Sequence, residues 1–271
     1  MKRVLKADLF ELSRSKTVFI LPGTAVLLGF LIPLMYYGIT VMFDYLESFP
    51  GMDMESFKSA SALMKMFNAK TVFLSVLPLS QGFGLVLTAM LGFRAVRPFG
   101  TGVYRNKIIA QVPRGSVYLS QSVCCFILAA VSASIYTLAA ALASRLTFGE
   151  IGLTGREILF IALLSFGIYL VYTAISVFTA FATRNVAVTL IITILLPVLG
   201  QTLISILSPT IASMPDSVVK ALSVLPSVQS LYMMSPQVPD SVLTISVIAD
   251  VLETALLTVW GILRFRKTDL K

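Results

Sequence analysis

The chain has 271 residues, of which 57% are hydrophobic and only 13% charged, with a formal net charge of +8. Soluble domains carry roughly a quarter charged residues, so a water-compatible surface cannot be built from this composition. The two cysteines, Cys124 and Cys125, are adjacent in an apolar run and histidine is absent, which removes a disulfide framework, a spaced metal-ligand pattern and the usual acid/base shuttle.

The first 16 residues place Leu5, Leu9 and Leu12 at helical spacing beside Lys2, Arg3, Lys6, Arg14 and Lys16. That pattern predicts an interfacial elbow helix over 1–16, leading into the first span. Uncharged runs locate the spans, because a charge at the bilayer centre costs roughly 2.5 to 3.5 kcal/mol on insertion scales and about 20 apolar residues suffice to cross. They predict transmembrane helices at 17–43, 71–93, 115–144, 158–183 and 185–207, and a sixth at 241–263 that is apolar except for Asp250 and Glu253. The fifth run continues to Pro215 but holds Pro197 and Pro209, so its helix is expected to end near Leu207. The first run is far longer than a signal-peptide core and lacks a small-residue cleavage site, so it is expected to remain attached.

Segment 53–67 carries Met54, Phe57, Met64 and Phe67, which fits a short amphipathic helix and equally an irregular loop. Segment 216–240 has Val218, Val219, Leu222 and Leu225 before Pro226, Pro236 and Pro239. It is too short and too broken to cross, and reads as a re-entrant or interfacial hairpin buried against other helices. Of the 21 Lys and Arg residues, 15 fall on the side that holds both termini and six on the other, while eight acidic residues face those six cations. The positive-inside rule therefore predicts cytoplasmic termini in a multi-pass inner-membrane protein of six all-α spans forming a single domain, 1–271. Basic charge segregated in this way reads as a lipid-bilayer surface, with no nucleic acid partner.

No glycine is followed by lysine, so no phosphate-binding P-loop is present, and neither a G-x-S-x-G elbow nor a histidine base is available for a triad. The expectation is a chain that is not an enzyme and holds no cofactor or metal. Gly82-Phe83-Gly84 reads as small residues that allow close helix packing. The informative segment is 94–114, with five cations, no anion, and Val103, Tyr104, Ile108, Ile109 and Val112 as an apolar stripe ahead of Pro113 and Gly115. An ordinary topology-setting loop explains the cations but leaves the stripe unexplained; a short amphipathic helix with something to dock against explains both.

Gly100-Thr101, Tyr104-Arg105-Asn106 and then Arg114 and Tyr118-Leu119 resemble the loop between helices two and three of type-two ATP-binding cassette (ABC) permeases. The ending Phe265-Arg266-Lys267-Thr268-Asp269-Leu270-Lys271 is similar to that family's basic terminus. The order of features along the whole chain matches as well. Where the family often has an acidic residue before Gly-Thr, this chain has Arg94, Arg97, Pro98 and Phe99. The resemblance implies that Gly100 to Arg114 is a coupling helix seated in a separate ATPase subunit that binds the ATP and Mg. It also implies that two copies of the chain form a homodimer exporting peptide or amphipathic lipid-like cargo. The alternative is an ATP-independent secondary transporter using Asp250 and Glu253, three residues apart on one helix, as proton or cation sites. Either those carboxylates find hydroxyl, backbone or Lys220 partners, or they line a translocation path.

Overall fold

The structure, a computed structural model, describes residues 2–47, 67–77, 82–212, 215–233 and 240–267. Among these residues every regular element is a helix, with no strand. Eleven helices follow in order: α1 (Lys2–Arg14), α2 (Thr17–Glu47), α3 (Ala69–Val76), α4 (Phe83–Gly100), α5 (Val103–Ile109), α6 (Arg114–Phe148), α7 (Gly155–Thr183), α8 (Val186–Ala212), α9 (Asp216–Leu222), α10 (Pro226–Met233) and α11 (Asp240–Arg266). Five of them, α2, α6, α7, α8 and α11, are long and apolar enough to cross a membrane, as a multi-pass membrane protein requires. The expected outer segment at 53–67 lies outside the described residues except for Phe67, whose ring packs 5.2 Å from that of Tyr36.

Helices α6 and α7 form the centre. Their apolar windows are 50% and 44% buried, against 17 to 22% for α2, α8 and α11. Helix α2 packs along α6, while α4, α8 and α11 gather round α7. Small side chains permit the close approach: a Cβ on Gly29 of α2 would lie 2.7 Å from the Cβ of Ala139 on α6. Hydroxyls inside these helices donate to the preceding turn, as Thr173 does to the Tyr169 carbonyl and Ser176 to that of Tyr172. Such local bonds let polar side chains sit in apolar surroundings without an unmet group. The outward surface is broadly apolar, with Phe19, Leu138, Leu146, Ile206 and Leu256 all more than 60% exposed, a surface suited to lipid and not to water.

The predicted second span, 71–93, departs from a single rod. It is divided between α3 and α4, with Gly82 at φ +67° just before α4. A break inside an apolar run leaves helix-end carbonyls without partners, and two tyrosines meet them. The phenol of Tyr136 on α6 donates to the Val76 carbonyl at 2.8 Å and that of Tyr169 on α7 to the Leu77 carbonyl at 3.3 Å. Phe83 then stacks on the Tyr136 ring at 4.7 Å. The carbonyls at the end of α3 are thus met by protein donors, as a helix end away from water requires. Gly82 supplies a positive-φ residue before α4, a use the packing interpretation of Gly82-Phe83-Gly84 did not foresee.

Helix α8 runs on to Ala212, more than a turn past the expected end near Leu207. Helix α1 is separated from α2 at Ser15 and Lys16 and turns Asp8 and Leu12 inward against α6 and α2. In segment 216–240, two short helices, α9 and α10, replace a crossing, and α10 packs on α7, α8 and α11 with Val228, Gln229 and Ser230 buried.

Candidate functional site at the junction of helices α4, α5 and α6

Helix α5 is a seven-residue helix set between two backbone reversals. Gly102 precedes it at φ +72°, where a side chain would be strained. At its far end Gln111 takes φ 60° while its N–H donates to the Ile108 carbonyl and the Val112 N–H to that of Lys107. This is a Schellman stop, in which a left-handed residue closes the last turn; glutamine occupies the place glycine usually holds. Pro113 then leads into α6, which starts at Arg114.

Tyr104 fastens α5 to the bundle. Its side chain is 1% exposed and its phenol donates to the Ala95 carbonyl of α4 at 3.1 Å. Burial, more than any neighbouring charge, pushes this phenol well above its ordinary pKa, so it stays a neutral donor. The ring sits 4.7 Å from Phe99 of α4 and 5.1 Å from Phe181 of α7. Phe181 in turn packs 4.7 Å from Tyr118 of α6 and 4.9 Å from Phe265 of α11. Five helices therefore meet in one aromatic cluster with mostly edge-on contacts, the arrangement ring quadrupoles favour.

An ion pair supplies a second anchor: Lys107 Nζ lies 2.5 Å from Asp8 of α1, whose side chain is only 5% exposed. Arg94 of α4 donates to Ser15 between α1 and α2 at 3.2 Å. Arg114 donates at 3.4 Å to the Arg266 carbonyl at the end of α11.

The anticipated apolar stripe divides. Tyr104, Ile108 and Val112 turn toward the protein's own core, and Val103 is half-buried. Gly100, Thr101, Arg105, Asn106 and Ile109 remain exposed, with Ile109 at 70%. A partner meeting this helix would touch that second group and not the first. The amphipathic spacing was legible; which side faces inward depends on Phe181 and Phe265, far away in sequence.

Asp250 and Glu253 also part company. Asp250 is 1% exposed and lies against Gly167 of α7, where an added Cβ would come within 2.1 Å of its Oδ2. It borders a groove of about 610 Å³ between α6, α7 and α11. Neither carboxylate oxygen meets hydrogen-bond geometry with any described residue. Gln229 of α10 lies beside this carboxylate, outside hydrogen-bond geometry. Glu253 instead lines a groove of about 960 Å³ bounded by α7, α8, the start of α10 and α11. Lys220 is exposed on α9 and pairs with neither carboxylate among the described residues.

Residues that sequence reasoning passed over complete the picture. Tyr172 and Ser227 share a hydrogen bond of 3.1 Å at the rim of the larger groove, and Trp260 lines it below Glu253. Gln229 donates to the Ser223 carbonyl at 3.1 Å, and the Ser246 hydroxyl reaches the same carbonyl at 3.1 Å, tying α10 to α11. Among the described residues no group of three or more Cys, Asp or Glu side chains is placed to hold a metal. Compared with known proteins, the chain matches no family model and no curated protein.

Proposed function

We propose that the chain is the permease subunit of an ATP-driven exporter of the type-two ABC class, and that α5 is its coupling helix. The observation that carries this reading is the build of α5: a short helix tied to α4 and α7 through Tyr104 and to α1 through Lys107, yet presenting Arg105, Asn106 and Ile109 outward. A rigidly mounted helix can pass on a rigid-body displacement, whereas a free loop would absorb it. The chain has no nucleotide-binding motif, so ATP and Mg would sit on a separate ATPase subunit, and two copies of the chain would pair with two such subunits.

In this reading the protein lies in the bacterial inner membrane with both termini cytoplasmic. The helices α3 and α4 together make the second of six crossings, α1 is the interfacial elbow, and α9 and α10 form a re-entrant or interfacial hairpin on the outer side. Cargo is peptide or amphipathic and lipid-like, moved by alternating access. A second reading, secondary transport driven by a proton or cation, draws on Asp250, a buried carboxylate inside a span that borders a groove and has no cation paired with it among the described residues.

The test is co-purification from the native host followed by substitution of Ile109→Asp. The proposal expects an ATPase subunit to accompany the wild-type chain, and the variant to insert normally but lose coupling between ATP hydrolysis and transport. Full transport by the variant, or transport by the purified chain alone under an ion gradient, would reject the ABC reading.

A further inference from the structure

The larger groove is a wall of aliphatic and aromatic side chains from α7, α8 and α11. About 960 Å³ lies at the upper end of ordinary small-ligand sites. Within that wall Glu253 is the sole charged residue, and it is half-buried with no ion-pair or hydrogen-bond partner among the described residues. Leu225, Pro226 and Ser227 of the broken segment also line the groove, and Ser227 is held by the Tyr172 phenol. Glu253 is close enough to act electrostatically on that phenol. Trp260, seven residues further along α11, stands roughly 10 Å from Glu253 at about 1.5 Å per residue, on the same side of the helix. Its ring is stacked on Phe178 at 4.8 Å.

A carboxylate in such a place is unfavourable when ionised and alone, because lipid and aliphatic side chains offer it no solvation. A cation delivered on an apolar body removes that penalty, and the ring of Tyr172 beside Glu253 adds a cation–π contact. A neutral amphiphile gains only the apolar contact, and an anionic one is repelled. We infer that this groove binds an amphipathic cation, its charged head at Glu253 beside Tyr172 and Ser227 and its apolar tail along Leu256, Leu257 and Trp260. The inference rests on the proposed permease role for its meaning, since it names the cargo class as cationic amphiphiles entering from the bilayer. The binding step itself needs no ATPase.

Trp260 is the only tryptophan in the chain, so its fluorescence reads groove occupancy directly. The purified protein in phosphatidylcholine liposomes is titrated with 11-bromoundecyl-trimethylammonium, 11-bromoundecanol and 11-bromoundecanoate, whose bromine quenches tryptophan on contact. The expected result is saturable quenching by the cation at concentrations at least tenfold below those needed for the alcohol, and weakest quenching by the carboxylate. Glu253→Gln should abolish the preference for the cation, and Glu253→Asp should restore most of it. Equal quenching by all three probes would show a crevice filled by lipid tails and overturn the inference. So would absence of quenching by any probe, including the case in which Trp260→Cys crosslinks between two copies and reveals the groove as a subunit contact. The wild-type comparison needs no variant to fold, and a positive result here would stand even if no ATPase co-purified.

Discussion

Tyr104 is the residue on which the mounting of α5 depends, and two substitutions separate its contributions. Tyr104→Phe removes only the hydroxyl that donates to the Ala95 carbonyl at 3.1 Å, and a hydrogen bond of this kind contributes about 0.5 to 1.5 kcal/mol net. Tyr104→Ala removes the ring as well, from a site that is 1% exposed and bounded by Phe99 and Phe181 at 4.7 and 5.1 Å. Aromatic-to-alanine changes in cores cost about 3 to 5 kcal/mol, the vacated volume included. The chain carries its own reporter for this, because Cys124 and Cys125 are its only cysteines and both are fully buried on α6. A thiol-reactive dye added during slow heating therefore labels only on unfolding. Tyr104→Phe should label a little below the wild-type temperature and Tyr104→Ala far below it. Wild-type behaviour of Tyr104→Ala, or equal effects of the two changes, would refute the view that ring packing fixes α5.

The Lys107–Asp8 pair predicts a non-additive cycle: Lys107→Met strands a carboxylate that is 5% exposed and should cost about 3 to 5 kcal/mol, whereas adding Asp8→Leu should recover most of it; additive losses in the same thermal assay would contradict this. Gly261→Ala would set a Cβ 2.0 Å from the Tyr118 phenol oxygen and 2.2 Å from its Cζ, so it should destabilise by about 1 to 3 kcal/mol. Gly38→Ala, with nothing within 4 Å, should be neutral or stabilising by up to about 1 kcal/mol, and the reverse ranking would count against the α6–α11 packing. For the proposed orientation, single cysteines at the exposed positions Ser13 and Ser217, in a chain with Cys124→Ala and Cys125→Ala, should differ in sealed cells. An impermeant maleimide should reach position 217 and spare position 13, and labelling of position 13 would reverse the topology.

Hydropathy made the helical class legible, since long uncharged runs leave the backbone no other way to satisfy itself in lipid. Pro113 and Gly115 likewise foretold the start of α6, whereas the interfacial stripe of Leu5, Leu9 and Leu12 on α1 gave no sign that Asp8 would be buried with Leu12. The break at Gly82 was not read, although Pro78 and Gly82 stand inside that run. Its stability depends on Tyr136 and Tyr169, and no local pattern links those phenols to the Val76 and Leu77 carbonyls. The division of the α5 stripe was hidden for the same reason: Ile108 and Ile109 are equally apolar, and only the position of the aromatic cluster decides that one packs and the other is exposed. Asp250 and Glu253 share a helix face by spacing, yet 60° of rotation separates i from i+3, at about 100° per residue. Gly167 lets α7 approach closely enough to put a helix between their grooves.

The aromatic cluster and the Glu253 groove are built on the same two helices. Helix α7 gives Phe181 to the cluster and Tyr172 to the groove, and α11 gives Phe265 to the cluster and both Glu253 and Trp260 to the groove. The nine residues from Tyr172 to Phe181 span roughly 14 Å of helix and the twelve from Glu253 to Phe265 roughly 18 Å. Close-packed rings do not deform gradually; they hold their arrangement or change to another. A push on the exposed side of α5 would therefore reach α7 and α11 together, at their ends, as a tilt and not as local softening. Tilting these two helices alters the width of a groove whose other walls, α8 and the start of α10, give no ring to the cluster among the described residues. If the chain is the proposed permease, this arrangement would give motion at α5 a mechanical route to Glu253, the carboxylate proposed to meet the cargo, without passing through the buried Asp250 site on the other flank of α11.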